Sequence, residues 1–219
     1  MSFARHIESR LERLIEGASA GLFGGKTGPL DIENKLLRTA DLEMFDGLVG
    51  PTIPNAFALY LHPENLTALA NSSLTTDLAQ SLTALAVVEG WRLDGPVAIT
   101  ISSDPEMSKR KIRCESRIIV GENDPWGTLI SSNADRAYPV QHIRSLIGRG
   151  TDCDIQIPNA DISRNHCVIF QKGQDTWIVD LSSSNGTRVN DVDVTSSPIL
   201  IRADDYISLG THRFTLKRV

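Results

Sequence analysis

The chain has 219 residues, of which 41% are hydrophobic and 22% are charged, and its net charge is −5. This composition is typical of a folded protein of one or two domains and excludes bulk disorder. The acidic excess extends over both halves, with 15 acidic and 12 basic residues in 1–120 and 12 acidic and 10 basic residues in 121–219, so neither half has the basic surface of a general nucleic-acid-binding protein.

The first half of the chain mixes helical and strand periodicity. Apolar residues at helical spacing predict a helix over 3–15, a second over 29–46 and a long third over 65–89, which Gly90 ends. Strands are predicted over 55–61, 97–101 and 112–120, the last two paired as a hairpin. This order of elements predicts an α+β domain over residues 1–120.

The pattern of apolar and turn residues changes after a polar, turn-rich stretch at 121–136, which we interpret as a linker. From 137 to 219, short apolar alternations are separated by Gly, Asn, Asp and Ser, and no helical period remains. Closely spaced short strands of this kind predict an all-β sandwich of about 80 residues.

The cysteines and the N-terminus indicate the compartment. Cys114, Cys153 and Cys167 are odd in number and form no Cys-x-x-Cys pair, so we expect neither a disulfide framework nor a zinc or other metal site. Charged residues interrupt the N-terminal apolar positions, and no run approaches about 18 apolar residues. We expect a cytoplasmic protein without direct membrane insertion, which a partner could recruit to the membrane.

Three polar islands between the strands of the second half share one chemistry. They are Ile147-Gly148-Arg149-Gly150, Ile162-Ser163-Arg164-Asn165-His166, and Ser182-Ser183-Ser184-Asn185-Gly186-Thr187 with Arg188-Val189-Asn190. They offer guanidinium groups, hydroxyls, a carboxamide and glycine-rich backbone, but no carboxylate cluster and no base beside a nucleophile. Arginine matches phosphate oxygens with a planar fork, and hydroxyl and loop N–H groups complete such a site. The islands predict an anion-binding site without a cofactor or catalytic residues.

Together with Cys153-Asp-Ile-Gln-Ile157 and a final Leu-Gly before the Phe-Thr-Leu strand, these islands resemble a forkhead-associated (FHA) domain over residues 137–219. The resemblance implies an 11-stranded β-sandwich that binds phosphothreonine peptides. By the same resemblance, phosphothreonine-binding roles fall to Arg149, Ser163, Arg164, Ser184 and Asn185. Loop-bracing roles fall to Gly148, His166, Gly186, Thr187 and Asn190.

Asp161 is a candidate for peptide selectivity. In the FHA family, the third residue after the phosphothreonine usually sets selectivity, and the loop over 158–163 is expected to meet it. If this loop is extended, Asp161 and Ser163 lean to the same side, so the carboxylate would disfavour acidic peptide residues. The alternative is that Asp161 only braces the turn.

The first half resembles the N-terminal domain of actinobacterial FhaA-like proteins. The resemblance rests on the Phe3–Gly17 segment, Ile53-Pro-Asn-Ala-Phe57, His62-Pro-Glu-Asn65 and Gly95-Pro-Val-Ala-Ile99. It implies a phosphothreonine-binding adaptor or scaffold in bacterial serine/threonine kinase signalling, including control of cell-wall synthesis. The implied partners are threonine-phosphorylated proteins, either such a kinase or its substrates.

Two other classes of function remain as alternatives. The N-terminal domain could bind nucleic acid while the β domain recruits it, although the overall acidity argues against this. A hydrolase built on Ser163 and His166 would need an orienting acid and an exposed nucleophile, and Ser163 does not lie in a Gly-x-Ser-x-Gly turn. We therefore predict that the protein is not an enzyme and that it does not bind nucleic acid.

Overall fold

The computed structural model describes residues 27–68, 73–132 and 136–219, so the helix predicted over 3–15 lies outside the described residues. The chain divides into two compact units. The first contains the described residues of Met1–Glu43, Ala56–Ser81 and Ala98–Arg117, and the second contains Met44–Asn55, Leu82–Val97 and Ile118–Val219. The units therefore do not follow a single cut at residue 120, because two segments of the first half pack with the C-terminal part.

Helix α1 of the first unit spans Pro29–Leu42. Its start is favoured by Pro29 in the first turn and by the Gly28 amide, which donates to the Asp31 carboxylate at 2.9 Å. Its apolar face, including Ile32 and Leu36, is fully buried. The prediction of this helix is confirmed, but it ends at Leu42 because the residues after Glu43 turn into a strand.

A three-stranded sheet completes the first unit. The central strand β3 (Ala56–Leu61) pairs in parallel with β4 (Ala98–Ser103) and antiparallel with β5 (Arg113–Arg117). The predicted hairpin of the last two strands is therefore wrong. The reason is that β3 has the most buried side chains, with Leu59 and Leu61 at 0% exposure, and takes the central position between two half-exposed strands.

The long helix predicted over 65–89 is also wrong as a single element. The structure has α2 (Pro63–Ala68) and α3 (Leu74–Glu89), with Ser73 outside both. The Ser73 carbonyl accepts the Asp77 amide at 3.0 Å, and its hydroxyl donates to the Asp77 carboxylate at 2.6 Å. Ser73 thus occupies the N-terminal cap of a separate helix, as serine often does. Gly90, at φ +72°, ends α3 as predicted.

The described residues of the second unit form a sandwich of eleven strands in two sheets, which confirms the predicted sandwich. The five-stranded sheet has the spatial order β14 (Ile199–Ile201), β11 (Asp175–Asp180), β10 (Cys167–Lys172), β8 (Arg144–Gly148) and β9 (Ile155–Gln156). The six-stranded sheet has the order β13 (Val192–Val194), β12 (Thr187–Val189), β15 (Tyr206–Leu209), β16 (His212–Arg218), β6 (Gly127–Ser131) and β7 (Ala137–Val140). A hairpin of β1 (Phe45–Gly47) and β2 (Gly50–Thr52) also belongs to this unit.

The stretch predicted as a linker, 121–136, contains one of the sandwich strands. β6 pairs antiparallel with β16 on one side and with β7 on the other, and Leu129 is fully buried. β6 has only a short apolar stretch with polar residues on both sides, so the composition of 121–136 does not indicate a strand. Residues 127–131 are therefore part of the fold of the C-terminal part and not a tether.

The side chains between the two sheets form one apolar core, to which both sheets contribute. Its most buried members include Leu129, Ile147, Ile169, Ile178 and Leu209. Side chains alternate between the two faces of each strand, so these residues point into the core. The polar islands lie in the loops that connect the strands. The core thereby fixes the ends of β8, β10, β11 and β12, from which the predicted site residues extend.

Candidate functional site

The loop after β8 and the loop before β10 run side by side at the site. The Arg149 amide donates to the Ser163 carbonyl at 2.9 Å, and the Gly150 amide donates to the Arg164 carbonyl at 3.1 Å. Gly148 allows this close approach, because a Cβ atom built there would lie 2.0 Å from the Arg164 oxygen. These contacts place Arg149 beside Ser163, as their predicted common role requires.

The loop between β11 and β12 (residues 181–186) adds the other predicted residues. The Ser163 hydroxyl accepts the Ser184 amide at 2.9 Å and lies 3.4 Å from the Ser184 hydroxyl. The Asn185 carboxamide donates to the Asp161 carbonyl at 2.9 Å. Hydrogen bonds therefore join two sequence islands that are about twenty residues apart, and the two serine hydroxyls share one small surface.

The two arginines of the site are surface residues. Arg149 and Arg164 are both exposed. Within residues 27–68, 73–132 and 136–219, neither side chain has a hydrogen-bond or ion-pair partner. By contrast, the exposed Arg188 is bound to Asp193 at 2.8 Å. Two such cations on loops that also carry serine hydroxyls favour an anion, and phosphate fits the arginine fork.

His166 connects the loops from beneath the site and is fully buried. Its Nδ1 accepts the Ser163 amide at 3.0 Å, and its Nε2 lies 3.2 Å from the Gly186 carbonyl. Because the amide can only donate, Nδ1 must be unprotonated, and Nε2 carries the proton that is donated to Gly186. Burial lowers the pKa of His166, despite the raising effects of the Gly186 carbonyl and Asp180.

We expect acid to destabilise the protein through this histidine. The folded pKa lies below the ordinary value of 6.5, so the unfolded state takes up the proton first as the pH falls. The contribution of neutral His166 to the free energy of unfolding is complete above pH 6.5 and decreases as the pH falls towards the lowered pKa. Urea unfolding at several pH values between 5 and 8 measures this slope.

The control for this measurement is His166→Asn, which loses the titrating group. Burial also lowers the pKa of His142, so the variant should retain part of the slope and not all of it. An identical pH dependence in the wild type and His166→Asn would contradict the prediction.

Asp180 braces the site and is not found by the sequence analysis. Its carboxylate accepts the Ser183 amide at 2.8 Å and the hydroxyls of Ser183 and Thr187, each at 2.6 Å. Burial raises the pKa of Asp180, but the hydrogen bonds from Ser183 and Thr187 outweigh it and lower the pKa. An aspartate three residues before a serine is a turn signal that could have indicated this role. Thr187 therefore acts through Asp180.

Two of the predicted bracing residues occupy different places. Gly186, at φ +74°, lies in the loop before β12 and accepts the Gly210 amide at 3.0 Å. Asn190 lies in the turn after β12, where its carboxamide oxygen accepts the Tyr206 amide at 3.1 Å. Asn190 thus braces the connection that precedes β15, while Gly186 belongs to the loop cluster of the site.

The Asp161 carboxylate has a partner of its own. It accepts the Thr211 hydroxyl at 2.8 Å, and the Asp161 amide donates to the Asn159 side chain at 2.9 Å. Its carbonyl accepts Asn185, so Asp161 links this loop to two others. These contacts support the alternative that Asp161 braces the turn. A role of Asp161 in selectivity remains a prediction.

The described residues give no support to a metal site or a membrane-spanning helix. No three His, Cys, Asp or Glu side chains of the described ranges come together as a metal site would require. Among the same residues, no helix has both the length and the apolar character needed to cross a membrane.

A β-sandwich with such a loop cluster is the arrangement expected of a phosphopeptide-binding module. Residues 145–210 match the family model described as FHA domain, which is a phosphothreonine-peptide-binding domain. Residues 4–115, more than half of the chain, match the model described as FhaA, N-terminal domain. The chain therefore belongs to the FhaA N-terminal domain family and carries a C-terminal FHA domain. Both matched domains are binding modules.

Two curated relatives come from Mycobacterium tuberculosis (strain ATCC 25618 / H37Rv). The chain is 38% identical over 82 residues to transcriptional regulatory protein EmbR and 35% identical over 65 residues to FHA domain-containing protein FhaA. The matches cover 37% and 30% of this chain, but only 21% and 12% of the two relatives. The chain thus spans about a fifth or less of the length of these relatives.

Solved structures of FHA domains are also similar to the C-terminal part. One comes from a study of phosphothreonine-dependent FHA domain interactions, with 31% identity and a TM-score of 0.39 over 42% of this chain and 96% of that chain. Another is the FhaA FHA domain complexed with the intracellular domain of a second protein, with 32% identity and a TM-score of 0.38 over 42% of this chain and 99% of that chain.

Proposed function

We propose that this protein is an adaptor that binds threonine-phosphorylated partners through its FHA domain and catalyses no reaction itself. The observation that carries the proposal is that the loops of Arg149 and Arg164, whose exposed side chains have no partner among the described residues, are joined to the loop pair that brings the Ser163 and Ser184 hydroxyls together. The backbone of these residues is fixed by hydrogen bonds between loops, so little ordering is needed when a phosphate binds.

The proposed partners are a bacterial serine/threonine protein kinase or its substrates. Such a partner could bring the protein to a membrane, and control of cell-wall synthesis is one process that the resemblance to FhaA-like proteins suggests. In this proposal Arg149, Ser163, Arg164 and Ser184 contact the phosphate, and Asn185 contacts the peptide main chain. His166 and Gly148 hold the loops in register.

The test is a binding titration of the full chain with a peptide library centred on phosphothreonine, followed by calorimetry on a selected peptide. We expect a micromolar dissociation constant, about −8 kcal/mol, and no detectable binding of the unphosphorylated peptide. A matched phosphoserine peptide should bind more weakly by roughly 1 kcal/mol, the contribution of one buried methyl group. Binding that is independent of phosphorylation would contradict the proposal.

Asp161 is proposed to disfavour acidic residues at the third position after the phosphothreonine. A cavity of about 390 Å³ borders this loop at Asn159 and Thr211, and Arg136 and Arg213 also line it. The carboxylate repels acidic peptide residues, whereas the two arginines attract them, so the side chain that dominates determines the preference.

The phosphothreonine library distinguishes these influences. Depletion of Asp and Glu at the third position in the wild type, relieved in Asp161→Ala, is the expected result. Enrichment of Asp and Glu that disappears in Arg213→Ala and is unchanged in Asp161→Ala would assign selectivity to the arginines instead.

A further inference from the structure

An ion pair in the second unit connects the segment after α3 to the end of the 149–154 loop, which contains Arg149. The Arg92 guanidinium grips the Asp154 carboxylate with two hydrogen bonds, from Nη1 to Oδ2 at 2.7 Å and from Nη2 to Oδ1 at 2.8 Å. The two side chains are only 14% and 15% exposed. Bidentate geometry and low exposure make this pair both directional and weakly screened by solvent.

The position of Arg92 is set by its own backbone. Its amide donates to the Pro51 carbonyl at 2.8 Å, and its carbonyl accepts the Ile53 amide at 3.1 Å. Its guanidinium also donates to the Asp94 carboxylate at 2.5 Å and to the Arg144 carbonyl at 2.6 Å. Hydrogen bonds between the 44–55 and 82–97 segments therefore fix the position of Arg92, and Asp154 is bound to it.

Asp154 is the last residue of the loop that joins β8 to β9 and contains Arg149. Besides Arg92, its Oδ2 accepts the Leu146 amide at 2.7 Å, and His142 Nδ1 lies 3.4 Å from its Oδ1. Burial raises the pKa of Asp154, but the hydrogen bonds and charge of Arg92 outweigh it and lower the pKa. The C-terminal end of the 149–154 loop is thus held by the Asp154 carboxylate, whose negative charge is paired with Arg92.

The Arg149 side chain has no partner among the described residues, so its position depends on the backbone of its loop. That backbone is held at the start by the hydrogen bonds from the Arg149 and Gly150 amides to the Ser163 and Arg164 carbonyls, and at the end by Asp154. We propose that Arg92 is a positioning residue for the phosphopeptide site, acting through Asp154 on the 149–154 loop. The affinity of the FHA domain then depends on the 82–97 segment, which lies far from it in sequence.

Arg144 offers a matched control. Its guanidinium donates to the Val49 carbonyl and, at 3.1 Å, to the Gly90 carbonyl, and it stacks on the Phe170 ring at 4.0 Å. Its side chain therefore binds the same two segments as Arg92 but forms no hydrogen bond or ion pair with Asp154. Loosening those segments at Arg144 should spare the 149–154 loop, if Arg92 acts through Asp154.

The experiment compares the full chain with Arg92→Lys and Arg144→Lys. Lysine keeps the charge but cannot form the bidentate pair. Amide hydrogen exchange is measured at Arg149 and Gly150, with the amides of Ile169 and Ile178 in the core as references. In Arg92→Lys we expect the two loop amides to exchange roughly tenfold faster relative to the references, and in Arg144→Lys we expect no loop-specific change.

A second variant keeps the inference testable if Arg92→Lys folds poorly. Asp154→Asn retains an acceptor for the Leu146 amide but loses the charge that Arg92 compensates, and it should produce the same loop-specific increase. An equal increase at loop and reference amides, in either variant, would assign Arg92 a purely structural role and overturn the inference.

The inference rests on the proposed function, and a phosphopeptide titration separates the two. With the phosphothreonine peptide selected above, Arg92→Lys should bind roughly five- to tenfold more weakly and Arg144→Lys should bind like the wild type. Wild-type binding with no loss in Arg92→Lys would overturn the inference alone. Absence of phosphopeptide binding by the wild type would overturn the proposed function and, with it, this role for Arg92.

Discussion

Replacement of Gly148 by alanine is expected to destabilise the second unit by about 3 kcal/mol or more, because overpacking against backbone cannot be relieved by a rotamer change. The added Cβ would lie 2.0 Å from the Arg164 carbonyl oxygen and 2.9 Å from the Cys153 sulfur. The two loops would have to separate, which breaks the hydrogen bonds from the Arg149 and Gly150 amides. Urea unfolding and phosphopeptide titration both measure the effect.

Gly173→Ala is the matched control for this change. Gly173 lies in the turn between β10 and β11 at φ +62°, and a Cβ there would meet nothing within 4 Å. It should cost only about 1 kcal/mol, the strain of a left-handed backbone, and should leave phosphopeptide binding unchanged. If Gly148→Ala were no more costly than Gly173→Ala, the close approach of the loops would not be a determinant of the fold.

The second large effect is on binding and not on stability. We expect Arg149→Ala to weaken phosphothreonine-peptide binding by at least about 2 kcal/mol, roughly 30-fold, because a charge-assisted contact to the phosphate is lost. The Arg149 side chain is exposed and has no partner in the described parts of the chain, so the free energy of unfolding should not change. Calorimetric titration and urea unfolding of the same preparation measure both quantities.

Two further variants show whether geometry or charge is lost. Arg149→Lys keeps the charge without the planar fork and should have intermediate affinity. Arg188→Ala removes an exposed arginine that is already bound to Asp193, and it should bind phosphopeptide normally. Normal binding by a folded Arg149→Ala protein would show that the phosphate lies elsewhere.

Much of the candidate site is predictable because its residues lie in short islands with distinctive chemistry. Arg149, Ser163 and Ser184 are recognisable from residue type and neighbours, and the structure brings them together. Asp180 was missed because a single aspartate after an apolar strand is common. Its hydrogen bond from Thr187 depends on the return of the chain after β11, which no local pattern specifies.

Two errors in the fold, the predicted hairpin and the predicted linker, have one physical cause. The apolar alternation of β4 and β5 indicates strands, but the choice of partner depends on how deeply β3 is buried between them. The apolar content of 127–131 is too short to stand out from its polar flanks, although β16 and β7 pair with it on both sides. Pairing is a property of two distant segments, and periodicity describes only one.

The sequence by itself determined the class of each half and the residue types of the anion site, because alternation, turn residues and the three islands are local features. Only the tertiary structure decided which strands neighbour each other and which charges meet. Arg92 and Asp154 are 62 residues apart, and nothing in the spacing of either predicts their contact. Such a pair forms because the fold buries both side chains within reach of each other, and burial is decided by the whole fold.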